Sequence, residues 1–354
     1  MNLILFTICL VFVCLQLVIV LVMLFVINKR GKASLSLPSD KKKLSIIIPF
    51  RNEAQRIGSL ITSLNAMVVS DPNQIEIIFV DDHSTDRSVE EIKKSTNQIS
   101  LLKNYGHGKK SAIQTGVKHA RHEYILTLDA DVVFDKNYLD TLLNYFQDDM
   151  LILPVKMRGY NLLSWLASIE FEWLQQFTFS TPSPVLCNGA NLAFKKSSFI
   201  AHSVERSDEH IASGDDLFLL DIFRKKGEKI RRLNLKKLQV ITSAPDNFSS
   251  LLKQRKRWAG KMKHLVSPQM VLAALFLITI QAVFIVSVCF SFYNFWWLMI
   301  VAIKYLAELF LTTHLPIIHR LGFVFIHQFY YPIYLISLIL PVSDDEKWKQ
   351  TTGQ

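Results

Sequence analysis

Four charged clusters follow one another in the middle of this chain. They are Asp81-Asp82 within Val80-Asp81-Asp82-His83-Ser84-Thr85-Asp86, then Asp129-Ala130-Asp131, then Asp215-Asp216 after Gly214, then Gln254-Arg255-Lys256-Arg257-Trp258. Paired carboxylates can hold a divalent cation, and the cation can hold a diphosphate. A further acid can take a proton from an attacking hydroxyl, and a basic segment can neutralise a departing phosphate. The order suits transfer of a group from a nucleotide-diphosphate donor, beside a membrane.

Each cluster also has a plainer use. Acid-x-acid triplets such as Asp129-Ala130-Asp131 are common in turns, yet this one directly follows an apolar run, Tyr124 to Leu128. One of its carboxylates can face a metal and the other a sugar or a metal-bound water. Asp81-Asp82 ends a second apolar run, and capping the following helix needs only one of its three acids. Asp82 is therefore read as a nucleotide contact and Asp86 as the cap. In Gly106-His107-Gly108-Lys109-Lys110 the glycines permit close backbone approach, and Lys109 can reach a phosphate. The spacing excludes a P-loop, and a solvated basic turn is the alternative. Of Asp215 and Asp216, one caps a helix over Leu217 to Lys225 and the other serves as general base, since adjacent carboxylates raise one pKa. Trp258 suits an aromatic wall for a sugar and Arg257 a diphosphate contact. The basic helix that carries them also reads as an electrostatic membrane anchor.

The elements that must position these groups alternate. Strands are predicted over Leu44 to Pro49, Ile75 to Val80 and Tyr124 to Leu128. Helices are predicted over Ala54 to Val69, Asp86 to Ser95 and Ser111 to Ala120. Such alternation argues for a mostly parallel, doubly wound α/β sheet, which binds ligands beyond the C-terminal ends of its strands. Asp81, Asp82, Asp129 and Asp131 all fall there. Between Tyr160 and Thr178, Trp165, Ile169, Trp173 and Phe177 recur at helical spacing. That helix either packs on the sheet or lies at a membrane interface.

With 354 residues and half of them hydrophobic, the chain is more apolar than an ordinary soluble enzyme. Leu3 to Ile27 is unbroken apolar sequence, without the basic start or cleavage site of a signal peptide, and reads as a retained anchor. Met270 to Phe292, Phe295 to Leu311 and Leu321 to Leu340 are further apolar runs. The basic residues after the first run and before the second face the cytosol by the positive-inside tendency. The expected division is an anchor over 1–28, a cytosolic catalytic domain over 42–265, and two or three membrane helices over 269–341. The last run reads as a span, a re-entrant segment or an interfacial helix. Lys304 and Glu308, four apart in an apolar run, read as a structural pair or as the lining of a lipid or polymer path. The net charge of +10 suits an anionic membrane face, and no nucleic-acid motif accompanies it. The four cysteines show neither metal-ligand spacing nor a disulfide framework.

Taken with Ile48-Pro49-Phe50-Arg51-Asn52-Glu53, the ordered motifs resemble those of family 2 inverting glycosyltransferases. The likeness is to the membrane-bound branch that includes cellulose, hyaluronan and ceramide-glucose synthases, and it covers about residues 44–260. It implies a GT-A Rossmann-like cytosolic domain with N- and C-terminal transmembrane helices. It also implies a nucleotide-sugar donor, UDP by preference, with Mg or Mn as cofactor. Glu53, Asp82, Lys109 and Asp129 would bind the donor, Asp131 the metal, and Asp216 would be the catalytic base. Gln254, Arg257 and Trp258 would hold the diphosphate and the acceptor end. Two departures stand out. Gly-Asp-Asp replaces the Thr-Glu-Asp usual in processive relatives, and His83 stands where many relatives carry Gly. With the small C-terminal membrane portion, the first favours a lipid-linked or membrane-associated glycan acceptor over secretion of a long polymer. The compact layout suggests a bacterial inner membrane. A membrane-anchored nucleotidyltransferase and a non-catalytic sugar-nucleotide binder are the competing readings.

Overall fold

The computed structural model describes residues 2–33, 42–95, 98–181, 183–203, 215–262, 268–313 and 315–339. They form two compact units, one built on residues 31–265 and one on residues 1–30 with 266–343.

The strands of the first unit are β1 (Leu44–Phe50), β2 (Ile75–Asp81), β3 (Ile99–Lys103), β4 (Tyr124–Leu128), β5 (Met150–Ile152), β6 (Val155–Arg158), β7 (Asn191–Lys195), β8 (Ile230–Arg232) and β9 (Val240–Ser243). Seven of them make one sheet in the order β3-β2-β1-β4-β7-β5-β8, while β6 and β9 pair in parallel beside it. The four strands β3, β2, β1 and β4 run parallel, and β7 lies antiparallel between β4 and β5. Register places the site. Phe50 pairs with Asp81 and Asp81 with Lys103, so β1, β2 and β3 end in line. Because β7 runs the other way, with Asn191 opposite Leu128, its beginning comes to that same edge.

The parallel strands are buried on both faces, which is why they read as continuous apolar runs rather than as alternation. Ile46, Ile48 and Phe50 face one cluster with Leu60 and Leu64 of α2 (Ile57–Asn65). Ile47 faces the other cluster, where Ala112, Ile113 and Val117 of α4 (Gly108–His119) pack. Between these helices in sequence lies α3 (Ser88–Ile92). At Gly116 a Cβ would sit 2.6 Å from Ile47, so only glycine lets α4 approach the sheet this closely. The remaining helices are α5 (Tyr138–Leu142), α6 (Leu162–Ser180), α7 (Lys196–Ser203), α8 (Asp215–Lys225) and α9 (Phe248–Met262). The second unit holds α1 (Asn2–Ala33), α10 (Pro268–Ser291), α11 (Trp297–Leu311) and α12 (Ile317–Ile339).

The three predicted strands appear within a residue of their expected bounds, whereas the helices differ. The expected helix from Ala54 is α2, which begins only at Ile57. Asn52 has φ +53°, and the Glu53 carbonyl takes the N–H groups of Arg56 and Ile57 in a turn. The helix expected from Asp86 is shortened to α3, with Asp86 ahead of it accepting the Ser88 N–H at 3.0 Å. Conversely, α4 starts three residues before the expected Ser111, because Asp82, just past β2, serves its first N–H. α6 packs on the sheet side of the question left open for it. Leu166, Ile169 and Phe171 are buried, and Gln175 bonds both the N–H and the carbonyl of Val155 in β6.

Within the helical unit, Leu3–Lys29 and Ala274–Ser291 are long and apolar enough to cross a membrane. Phe6 meets the Trp297 ring edge-on at 5.3 Å and Phe290 stacks on it at 5.0 Å, tying α1, α10 and α11 together. Lys304 and Glu308 are indeed a pair, 2.6 Å apart and buried. Gln328 of α12 bonds both, His327 stands 3.5 Å from Glu308, and Lys304 lies 4.9 Å over the Phe284 ring.

Candidate functional site

Asp82 is the buried centre of the edge where β1, β2 and β3 end. Its side chain is wholly buried. Both oxygens accept the Gly108 N–H, at 2.9 and 3.0 Å, so an acid leaving β2 caps the start of α4. Asn104, directly after β3, donates to Asp82 Oδ1 at 2.6 Å. The Asn104 carbonyl is itself held by Ser111, Thr115 and the Gly106 N–H. Arg51 completes the surround at 3.7 Å from Oδ2. Gly108 takes φ +88°, a conformation that glycine alone adopts freely, and this aims its N–H at the acid. Neither Asn104 nor Arg51 was singled out in the sequence. Their signal was their place, each just past the end of a strand at the edge where the parallel strands end.

Asp81 turns inward and accepts the Ser84 N–H at 2.9 Å, and Asp86 accepts the Ala54 N–H at 3.0 Å. Burial pushes the Asp86 carboxyl up, but its hydrogen bonds from Ser88 and Ala54 outweigh that and hold it below its ordinary value. These two acids brace the loop after β2 and leave Asp82 as its buried anchor. Glu53 lies in the neighbouring turn. Its N–H donates to the Ser88 hydroxyl at 2.7 Å and its carboxylate meets Arg56 at 3.0 Å.

Past β4, Lys109 Nζ lies 2.5 Å from Asp129 Oδ1, which joins the basic turn to the acid-x-acid turn. Asp131 receives the Thr242 hydroxyl from β9 at 3.2 Å. Burial first, then the Asp129 charge, pushes the Asp131 carboxyl above its usual range, against the pull of Arg56 and Thr242. A divalent cation would relieve the raised Asp131 carboxyl beside Asp129, so the chemistry of this turn fits one. Thr242 and Arg56 are further residues that sequence reasoning missed. Nothing in the spacing relates β9 to a turn more than a hundred positions earlier.

Asp216 sits in the first turn of α8. Its carboxylate accepts the Leu217 N–H at 2.9 Å and the Gly189 N–H at 3.0 Å, from the loop that leads into β7. It lines a small cavity with Lys110 of α4 and Thr127 of β4, two residues before Asp129. The antiparallel course of β7 is what brings this acid to the edge where the parallel strands end.

The C-terminal cluster is arranged differently. On α9, Arg257 is exposed, while Gln254 and Trp258 are half-buried. Trp258 rests 5.8 Å from Phe171 of α6, with the Arg255 guanidinium 4.5 Å over its ring. Arg255, buried, lies 3.6 Å from Glu170 and donates to the Ala167 carbonyl. α9 is thus fixed on α6 through Arg255 and Trp258, and Arg257 points outward.

The Glycosyl transferase family 2 model matches residues 45–200, and the Glycosyl transferase family group 2 model matches residues 124–339. Dodecaprenyl-phosphate galacturonate synthase of Rhizobium johnstonii is 30% identical over 128 residues, 34% of this chain and 37% of that protein. Undecaprenyl-phosphate 4-deoxy-4-formamido-L-arabinose transferase of Salmonella paratyphi A is 36% identical over 96 residues, 26% of this chain and 29% of that protein. The chain therefore spans about a third of the length of the curated relatives it matches. A mannosyltransferase from Pyrobaculum calidifontis, solved with GDP-Man and Mn2+, aligns at TM-score 0.49 and 16% identity over 93% of this chain and 97% of that one. With the second family model covering more than half of its length, this chain belongs to the family 2 glycosyltransferases.

Proposed function

We propose that this protein moves a sugar, with inversion, from a nucleotide-diphosphate sugar to a membrane-held lipid phosphate or lipid-linked glycan, from a catalytic domain on the cytosolic side of a bacterial inner membrane. The observation that carries the reading is the gathering of Asp82, the Asp129–Asp131 pair and Asp216 along one edge of a single sheet, by register and by the reversed β7. The two helices long enough to span a bilayer and the polyprenyl-phosphate relatives support the acceptor class.

In this reading Asp82 meets the base end of the donor, and Glu53 braces the same turn. Asp129 and Asp131 would hold Mg or Mn, which supplies charge neutralisation for the leaving diphosphate. Lys109 is already at Asp129 and adds a second positive charge to the phosphate end. The acceptor oxygen is deprotonated by Asp216, whose carboxylate plane is set by two backbone N–H donors. Arg257 and Gln254 meet the diphosphate and Trp258 walls the acceptor end.

The test is nucleoside-diphosphate release by the full chain in detergent. UDP-, GDP- and dTDP-sugars are each offered with Mg2+ or Mn2+ and a polyprenyl phosphate, beside Asp216→Asn. Metal-dependent release that needs the lipid and vanishes in the variant supports the reading. Release of inorganic pyrophosphate instead would assign a nucleotidyltransferase. No release from any donor would favour a binder.

A further inference from the structure

A second set of ligating atoms stands apart from the acid pair. One carboxylate oxygen of Asp82 and one ring nitrogen from each of His83 and His107 lie within 4.8 Å of one another. The two imidazoles face each other at 4.5 Å between centroids, and both are exposed. His83 holds φ +60°, a left-handed backbone that costs a side-chain-bearing residue energy and glycine none. Strain of that kind persists where surrounding contacts over-determine it. Here the contact is a hydrogen bond from His83 Nε2 to the Gly106 carbonyl at 2.9 Å. A carbonyl only accepts, so Nε2 carries the proton and Nδ1 keeps the lone pair. That outer hydrogen bond is the device by which metal-binding histidines fix their tautomer. His107 precedes α4 and makes no side-chain capping bond.

We propose that Asp82, His83 and His107 form a binding site for a borderline-soft divalent cation of the Zn2+ class, distinct from the Asp129–Asp131 pair. Two imidazoles and one carboxylate select Zn2+, Co2+ or Ni2+, whereas Mg2+ prefers oxygen alone. Ligand atoms around tetrahedral zinc are about 3.3 Å apart, a closure that rotation of the exposed His107 imidazole supplies while His83 keeps its bond to Gly106. Asp82 stays anchored by Gly108 and Asn104 throughout, and Arg51, 3.7 Å away, is a cation beside the acid that must yield. The consequence rests on the function proposed above. If Asp82 meets the base end of the donor, a cation held there excludes the nucleotide, and the enzyme is inhibited by zinc while it depends on magnesium.

The experiment uses the full chain in detergent with excess Mg2+. Zn2+ affinity is measured against a chelating indicator, and Co2+ is followed by its visible absorption. Native protein is expected to bind one equivalent of either ion, and His83→Gly/His107→Gln to bind at least about 100-fold more weakly. Glycine suits φ +60° and His107 caps nothing, so the double variant keeps the fold, which thermal melting checks. Asp131→Asn is expected to bind Zn2+ as the native protein does. The site is overturned if native protein takes up no Zn2+, if the double variant binds equally well, or if Asp131→Asn loses the binding instead. Turnover separates metal binding from its effect on the donor site. Zinc inhibition that disappears in the double variant supports the consequence. Histidine-dependent binding that leaves turnover untouched overturns it, and with it the place of Asp82 at the donor.

Discussion

Charge is treated in opposite ways by the two units. Among the apolar helices, Lys304, Glu308, Gln328 and His327 close into a network in which the cation and the anion answer each other. At the sheet edge, two acids share one turn, and burial, then the field of Asp129, pushes Asp131 up although Lys109 pairs with Asp129. The first arrangement satisfies itself and reads as a clamp between α11 and α12. The second is better satisfied by a ligand than by the protein. A closed network is therefore expected to answer to mutation through stability, and an acid pair at the ligand edge through activity.

The sharpest way to break that contrast is Asp216→Asn. It removes the proposed base and is expected to lower kcat by about 10^3- to 10^4-fold with the melting temperature nearly unchanged. A matching loss of stability would make Asp216 a structural cap of α8 instead. Next in size is Lys304→Met, which leaves Glu308 buried without its cation and costs about 3 to 5 kcal/mol. Replacing the pair together, Lys304→Met with Glu308→Leu, should restore most of that, as read from denaturation in detergent. If the single variant is as stable as the parent yet inactive, the network is a functional path and not a clamp.

Gly116→Val tests the platform on which the site stands. Its added carbons meet Ile47, and overpacking of this kind costs about 1 to 3 kcal/mol. The loss should appear in thermal melting, with donor KM rising because α4 carries Gly108 and Lys109. The smallest effect is expected at the far end of the same strands. Glu76 is pushed up by burial, but bonds from Arg121 and Ser45 outweigh this and hold its carboxyl below the ordinary value. A group depressed in the folded state stabilises above its unfolded pKa, and the gain is lost as pH falls through its folded pKa. Glu76→Gln should therefore cost about 1 kcal/mol at neutral pH and flatten the acid limb of the stability curve. An unchanged acid limb would show that Glu76 adds nothing to it.

Several features were legible without coordinates. β1, β2 and β4 were plain because a strand buried on both faces must be apolar throughout, and their ends located Asp82, Asp129 and Asp131. Helix limits were not legible. α4 begins at Gly108 because an acid beyond β2 accepts its N–H, and α2 begins late because the turn at Asn52 and Glu53 takes up the preceding residues. Both causes are long-range or conformational, and local propensity carries neither. Trp258 was legible as an aromatic near the membrane end. Its place between Phe171 and Arg255 depends on a packing partner in α6 that spacing does not reveal.

By itself the sequence determined the α/β class, the order of the acids and the apolar runs at both ends, because hydrophobic period and residue chemistry are local properties. Only the tertiary structure decided which acids anchor and which remain for a ligand. That division depends on register, which aligns Phe50, Asp81 and Lys103, and on the reversed β7, which carries Gly189 to Asp216. It depends too on the fold bringing His107 against His83 and Thr242 against Asp131. A carboxylate's role is set by the donors and charges that surround it, and those arrive from strands and helices far apart along the chain.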